Sequence, residues 1–589
     1  MLTVSTLSFR TRYQIRFFRS AIVLVERVHG KSHSADLKIA TTFRPLLASQ
    51  VAAIPRRGNE PWSLILCKFK DSDFEPRSAE WFAEWISGGN NPDTIESYFS
   101  SVSNAVYTIK GSNVTKWLRL PWSRREVLRM AVMDPRLQSE RERPFADIWG
   151  ESEDEGNFAI VGFPEGKEQL SQTPKNEEYM FDKAKQLCIS FAEENGFVLN
   201  RQKITIINTE NTAVYGKDTG VLLTPKLIFS SVLTHEMIHS MNIGHSYSDR
   251  KIRVFPYSSP GEYDDKYDLM STANAHMRLS TYGLGGPGLN GPHLDYLGWL
   301  PQNRMVYFGR DGRNNYTLRL SSLSVPHRLT IGWLLVMIPY DRDDPGNVYT
   351  IEYRTPVGND AGIKQGAVVI HKVHRIGVSY YSTLMTHEKG EYNELTAGTE
   401  WLQFLDINVD GGFQYIRVKV ERVHGKSHSA DLKIATTFRP ELCRGADVRM
   451  EVKQSPHLIT HGVRSVCIEQ NRTVTQRDID RQYLRDAFFD MRKTFGQNEC
   501  KNGRVWRAID AYDYVCVEPH RVDQVMDTVA SVDEDDDGCD DYLVHRNAFQ
   551  GDKACVSEDE RALIHKENAE SHRHLRNYAF FNGADSVGL

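Results

Sequence analysis

Apolar residues fall in short dense runs through the first half of the chain and in alternating runs beyond it. Leu64–Phe69 is a nearly continuous apolar run with the length of one buried strand. A helical stretch follows around Ala79–Ile86, then a second segment from Ile95, and Val106–Ile109 and Val114–Leu120 read as strands. Over 177–195, Phe181, Ala184, Leu187, Cys188 and Phe191 recur at helical spacing, with Gly196 placed to end the helix. Ile204–Ile207 predicts a short strand and Val221–Phe229 a further one. A helix from about Ser231 then turns Met237, Ile238 and Met241 towards the core. Gly and Pro punctuate Gly285–Trp299, which predicts a loop and a short helix over Leu294–Trp299.

From 306 the pattern changes. Tyr316–Leu320, Trp333–Ile338, Tyr349–Tyr353, Ala367–Val373 and Ile416–Val420 are strand-like and separated by turn residues, as in an antiparallel β-sandwich. Four segments result: an atypical N-terminal stretch 1–58, a first domain 59–305, the sandwich 306–445, and a Cys-containing region 446–589.

The chemistry sits in the helix near Ser231. Residues 235–245 read His-Glu-Met-Ile-His-Ser-Met-Asn-Ile-Gly-His. His235 and His239 are four apart and share a helix face, so both imidazoles can grip one ion. Glu236 lies beside the first ligand, within reach of a metal-bound water. His245 follows the helix end and supplies a third nitrogen. Three neutral histidines leave one tetrahedral position open, the arrangement of a catalytic zinc. A surface helix bearing two histidines and an acid is the bland reading of His-Glu-x-x-His alone. The third histidine and the segment Tyr267-Asp268-Leu269-Met270-Ser271 count against it.

With these residues the chain resembles the metzincin zinc metalloproteases, whose signature is HExxHxxGxxH followed by a Met-containing turn. The Tyr-Asp-Leu-Met-Ser form is most similar to the gametolysin-like and immune-inhibitor-type secreted peptidases. The resemblance implies an α+β metzincin-type catalytic domain, with a twisted mixed sheet and an active-site helix, followed by the β-sandwich. It also implies His235, His239 and His245 as ligands of one catalytic Zn2+, Glu236 as general base and Met270 as the Met-turn residue. Implied substrates are proteins or peptides, extracellular or of the cell wall. Asn242 stands where the family has Gly at the helix end. Asn is the non-Gly residue that best tolerates positive φ, so the turn is expected to survive. Ser271 and Thr272 follow Met270, so no tyrosine stabiliser is assigned there. His293 is expected to be a structural or surface residue, and the strand-end His371 and His374 to be structural.

Six of the eight cysteines lie after residue 440. Cys500 and Cys516 have the same separation as Cys539 and Cys555, within two similar units near 500–538 and 539–577 that share Val505-Trp-Arg and Val544-His-Arg. Disulfides Cys500–Cys516 and Cys539–Cys555 are expected, and a four-cysteine zinc site is disfavoured because no close CxxC pair occurs. Cys67 and Cys188 sit on apolar faces and are expected as core cysteines. Clustered cysteines and sequons at Asn113, Asn315 and Asn471 suit a secreted, disulfide-bonded glycoprotein. The run Asp533–Asp537 reads as an acidic linker in preference to a calcium site, because it lacks an EF-hand pattern.

A net charge of −5, from 72 basic and 77 acidic residues, gives no argument for a nucleic-acid partner. No apolar run approaches transmembrane length. The first 25 residues carry Arg10, Arg12, Arg16 and Arg19 and lack a secretory h-region. Val25–Pro45 and Val420–Pro440 are identical, which suggests a recent duplication or gene-model error; the second copy is expected to be native and the first loosely ordered or misplaced. Two other readings stand beside the peptidase. One is an inactive metzincin-like protein that binds a partner through its sandwich and C-terminal units. The other is a two-histidine site completed by Glu262.

Overall fold

The computed structural model describes three strands within the first 52 residues, residues 56–134 and 175–209, most of 214–451, the strand Ser465–Ile468, and most of 498–575. Cys443, Asn471 and the Asp533–Asp537 run lie outside the described residues. The chain divides into two compact units, Met1–Ala52 and Ala53–Leu589.

In the first unit, strands Ile15–Phe18, Ala21–Val28 and Ala35–Lys38 form an antiparallel sheet. Its second hairpin carries the first duplicated copy, with Val25 opposite Leu37 and Arg27 opposite Asp36. In the second copy, Val420 pairs with Leu432 and Arg422 with Asp431, with the register shift at the same place. Over the residues described in both copies, the antiparallel register and its shift are therefore the same in two settings.

The second unit begins with a mixed sheet. Its strand order is Val214–Lys217, Gly220–Leu223, Gln202–Asn208, Trp62–Lys68, Asn113–Val114, with Leu118–Arg119 also paired to Trp62–Lys68. Only the first pair is antiparallel. Successive side chains of a strand point to opposite faces. Leu64, Leu66, Ile204 and Ile206 accordingly pack with Phe82, Trp85, Phe99, Leu233 and Met237 of three helices. Ile65, Cys67, Ile207 and Leu222 pack on the other face with Val127, Phe181, Ala184 and Cys188. Both faces are covered, which is why Leu64–Phe69 reads as a run and not as an alternation. Ser78, Thr94 and Ser123 each accept the backbone N–H three residues on and so start the helices Ala79–Ser87, Ile95–Val102 and Arg124–Met133.

Two expectations change here. Cys67 and Cys188 are buried, as anticipated, but they are bonded to each other and tie the sheet to the helix Lys175–Glu194. The strand expected over Val221–Phe229 stops at Leu223, and Pro225–Leu227 is a 3-10 turn. Pro225 has no N–H for a ladder and suits the first turn of a helix.

Beyond 305, two sheets face each other across one core. The first has the order Tyr247–Ser248, Ser379–Leu384, Ala367–Ile376, Val348–Arg354, Leu335–Pro339, Met305–Tyr307. The second is antiparallel, with the order Arg313–Ser321, Ser429–Thr437, Phe413–His424, Glu400–Ile407. Ile351, Tyr353, Val368 and Ile370 from one meet Leu320, Ile416, Val418, Leu432 and Ile434 from the other. The sandwich departs from the expected antiparallel form at both edges of the first sheet, where the pairings are parallel. Tyr247–Ser248 comes from just after the third histidine, so this sheet reaches into the segment expected to be a separate domain, and residues 53–589 are one compact body.

The two C-terminal units have the same build. Cys500–Cys516 and Cys539–Cys555 are both bonded, as the equal spacing predicts. In each unit a two-residue ladder pairs Val505 with Val517, or Val544 with Val556. Arg507 holds Asp513 at 2.9 and 3.1 Å, and Arg546 holds Asp552 at 2.8 and 2.9 Å. Helices Pro519–Val529 and Glu558–Glu570 follow the two ladders. The first unit docks on the preceding body through Tyr514, whose hydroxyl donates to the Leu300 carbonyl at 2.7 Å, and Asn498, which donates to the Asp295 carbonyl at 2.9 Å. Among the described residues, no helix is long and apolar enough to cross a membrane.

Candidate metal centre

The helix Ser230–His239 is buried nearly all round. Leu233, Met237 and Ile238 fill the core below the mixed sheet. Near the helix start, Gly286 leaves room for the Leu269 side chain, which a Cβ at that glycine would overlap, and lies in ordinary contact with Ser231. On this helix His235, Glu236 and His239 are each under a tenth exposed.

Asn242 turns the chain at the helix end with φ +65°, the left-handed conformation expected of it. This reversal brings the Ile243 carbonyl back under His239 and presents His245 to the other two imidazoles. One ring nitrogen from each of His235, His239 and His245 lies within 4.8 Å of the others. The rings of His235 and His245 are near-parallel at 5.5 Å, and His239 stands edge-on to them at 4.5 and 4.8 Å.

The other ring nitrogen is engaged in each case. His235 Nδ1 is 3.1 Å from the Leu269 carbonyl, His239 Nδ1 is 2.7 Å from the Ile243 carbonyl, and His245 Nδ1 is 2.6 Å from Glu262 Oε1. A carbonyl can only accept, so Nδ1 of His235 and His239 carries the proton and Nε2 keeps its lone pair. Burial pushes the Glu262 carboxyl up, but the His245 imidazole and the Ser259 amide outweigh it and hold it below the usual range. Glu262 is therefore an anionic acceptor, and His245 takes the same tautomer. Three Nε2 lone pairs fixed by partners on the far side of each ring are a donor set that fits a borderline-soft cation such as zinc. Burial pushes the His235 imidazole down to about 3 and His239 well below its usual range, with neighbouring imidazoles adding to the effect. Both are neutral at neutral pH, the form that binds metal.

Met270 is fully buried in the 3-10 turn Leu269–Ser271, whose Leu269 carbonyl holds His235. Buried polar and charged side chains surround this turn. His293 Nδ1 lies 2.7 Å from Asp268 Oδ2, and His371 Nε2 donates to Asp265 Oδ2 at 2.9 Å. Arg354 pairs with Asp360 at 2.5 Å and with Glu352 at 3.0 Å. His293 and His371 are structural, as expected, but wholly buried. Their acids come from distant segments, so sequence neighbourhood could not show them. Burial depresses the His371 imidazole, yet Asp265 beside it outweighs that and raises it. His374 is half-buried and stacks on Tyr381 at 5.5 Å.

Near the centre, Glu262 stands in another place than the one weighed for it, and Tyr263 was not anticipated from the sequence. Glu262, weighed there as a rival ligand, is the partner of His245. Tyr263 lies over the His245 ring at 4.0 Å and holds φ +61°, a strained conformation for a bulky residue. No protein-family model, curated protein or solved structure matches this chain.

Proposed function

We propose that this chain is a zinc-dependent endopeptidase with Glu236 as its general base. The observation that carries the reading is the convergence of three imidazoles, each anchored through Nδ1, on the helix that also bears Glu236. Zinc, when bound, supplies Lewis acidity towards a scissile carbonyl and brings the pKa of water near neutrality. His235, His239 and His245 would hold the cation as neutral donors. Glu236 takes a proton from water and returns it to the leaving amine nitrogen. The Met270 turn positions His235 through the Leu269 carbonyl. The resemblance to metzincins favours protein or peptide substrates outside the cell, and the three disulfides among the described residues suit an oxidising compartment.

A chelator should abolish cleavage of an unfolded protein substrate, and zinc should restore it. Glu236→Gln should keep the metal and lose about 10²–10⁴-fold in rate. Wild-type cleavage by that variant would refute the role of Glu236.

A further inference from the structure

Among the described residues a second set of metal-type donors converges, far from the first in sequence: Cys539, His545 and Cys555, with ligand atoms within 4.8 Å of one another. The two C-terminal units allow a controlled comparison. Each has a cysteine pair separated by sixteen residues and an aromatic side chain opposite the second cysteine. In the first unit that side chain is Trp506, and in the second it is His545.

The difference changes the chemistry. Cys500 and Cys516 are 2% and 1% exposed, and the Trp506 indole donates to the Asn498 carbonyl at 2.7 Å. An indole N–H has no lone pair for a cation. Cys539, Cys555 and His545 are all partly exposed. His545 Nδ1 lies 3.5 Å from Cys539 Sγ and 3.0 Å from the Lys553 carbonyl. The first unit is a closed staple, whereas the second places an accessible imidazole beside an accessible sulfur pair.

We propose that the second unit is a redox-gated zinc site, closed as a disulfide and opened by a dithiol. The dithiol is oxidised to its own disulfide while Cys539 and Cys555 are reduced to two thiols. Zinc then displaces the two thiol protons to solvent. His545 becomes a ligand through Nδ1 by moving its proton to Nε2 and leaving the Lys553 carbonyl. Two thiolates and one imidazole are a soft donor set suited to zinc. This site shares no residue with the three-histidine centre.

The test uses cobalt(II) as a zinc substitute on the full chain, reduced with a dithiol that is then removed by anaerobic desalting. A thiolate-to-cobalt charge-transfer band should appear only after reduction. The three-histidine centre contains no sulfur and cannot produce it. Cys539→Ser should abolish the band, and His545→Ala should weaken cobalt binding by about tenfold or more. Alkylation followed by peptide mass mapping reads the same site in the unsubstituted reduced chain, where zinc should protect Cys539 and Cys555 from labelling. No band after reduction, unchanged affinity in His545→Ala, or equal labelling with and without zinc would overturn the proposal.

Discussion

His245 Nδ1 and Glu262 Oε1 are 2.6 Å apart, which joins the third histidine to a carboxylate seventeen residues later in the chain. Glu262 is itself anchored, because its other oxygen accepts the Ser259 N–H at 2.8 Å. The carboxylate sets the His245 tautomer and makes the ring a stronger donor. Glu262→Gln should weaken zinc binding by about 10–100-fold and leave the fold intact. Equilibrium competition against a chelator of known affinity measures this. Complete loss of zinc would instead make Glu262 a ligand, and unchanged affinity would remove it from the site.

Asn242 controls the geometry through its φ of +65°. Asn242→Gly keeps that conformation accessible, so zinc affinity should be preserved. Asn242→Val strains it by about 1–3 kcal/mol and should displace His245. The pair of variants separates a backbone role from a side-chain role. Wild-type zinc affinity in the valine variant would show that the turn does not set the third ligand.

Arg354 is buried with Glu352 and Asp360 and donates to the Leu289 carbonyl at 3.2 Å. Arg354→Met would take the guanidinium away from two buried carboxylates and should destabilise the protein by about 3–5 kcal/mol. Urea unfolding at neutral pH reads this loss. A change below about 1 kcal/mol would mean that the network contributes little.

Asp295 offers a pH test away from the metal. Burial raises its carboxyl from 3.8 to about 7 in the folded state. A raised folded pKa favours the protonated form, so the native state is unpenalised below about pH 4 and loses stability as pH climbs towards 7. Asp295→Asn removes that loss. The variant should gain about 2–4 kcal/mol over wild type at pH 8 and almost nothing at pH 4. Thermal unfolding at the two pH values decides it, and an equal shift at both would contradict the assignment.

Local chemistry carried most of what could be read in advance. The spacing of His235, His239 and His245 needs only one helix and one turn, and Asn242 is the residue that such a turn tolerates. The equal intervals Cys500–Cys516 and Cys539–Cys555 foretold two bonds because each lies within one small unit. Partners joined only by the tertiary fold were not legible. Cys67 and Cys188 meet across 121 residues. Asp265 and His371 meet across 106 residues. Periodicity reports which face of an element is buried, but not which distant polar group waits there. The same limit hid Tyr247–Ser248, whose two residues carry no strand period and pair only because the sandwich sheet presents an edge.

Three imidazoles on one catalytic metal ion, as proposed, give a ligand set that zinc X-ray absorption on the purified full chain reads. One zinc per chain with three imidazole ligands is expected, falling to two in His245→Ala. Two imidazoles in the wild type, or a folded chain that takes up no zinc, would contradict it.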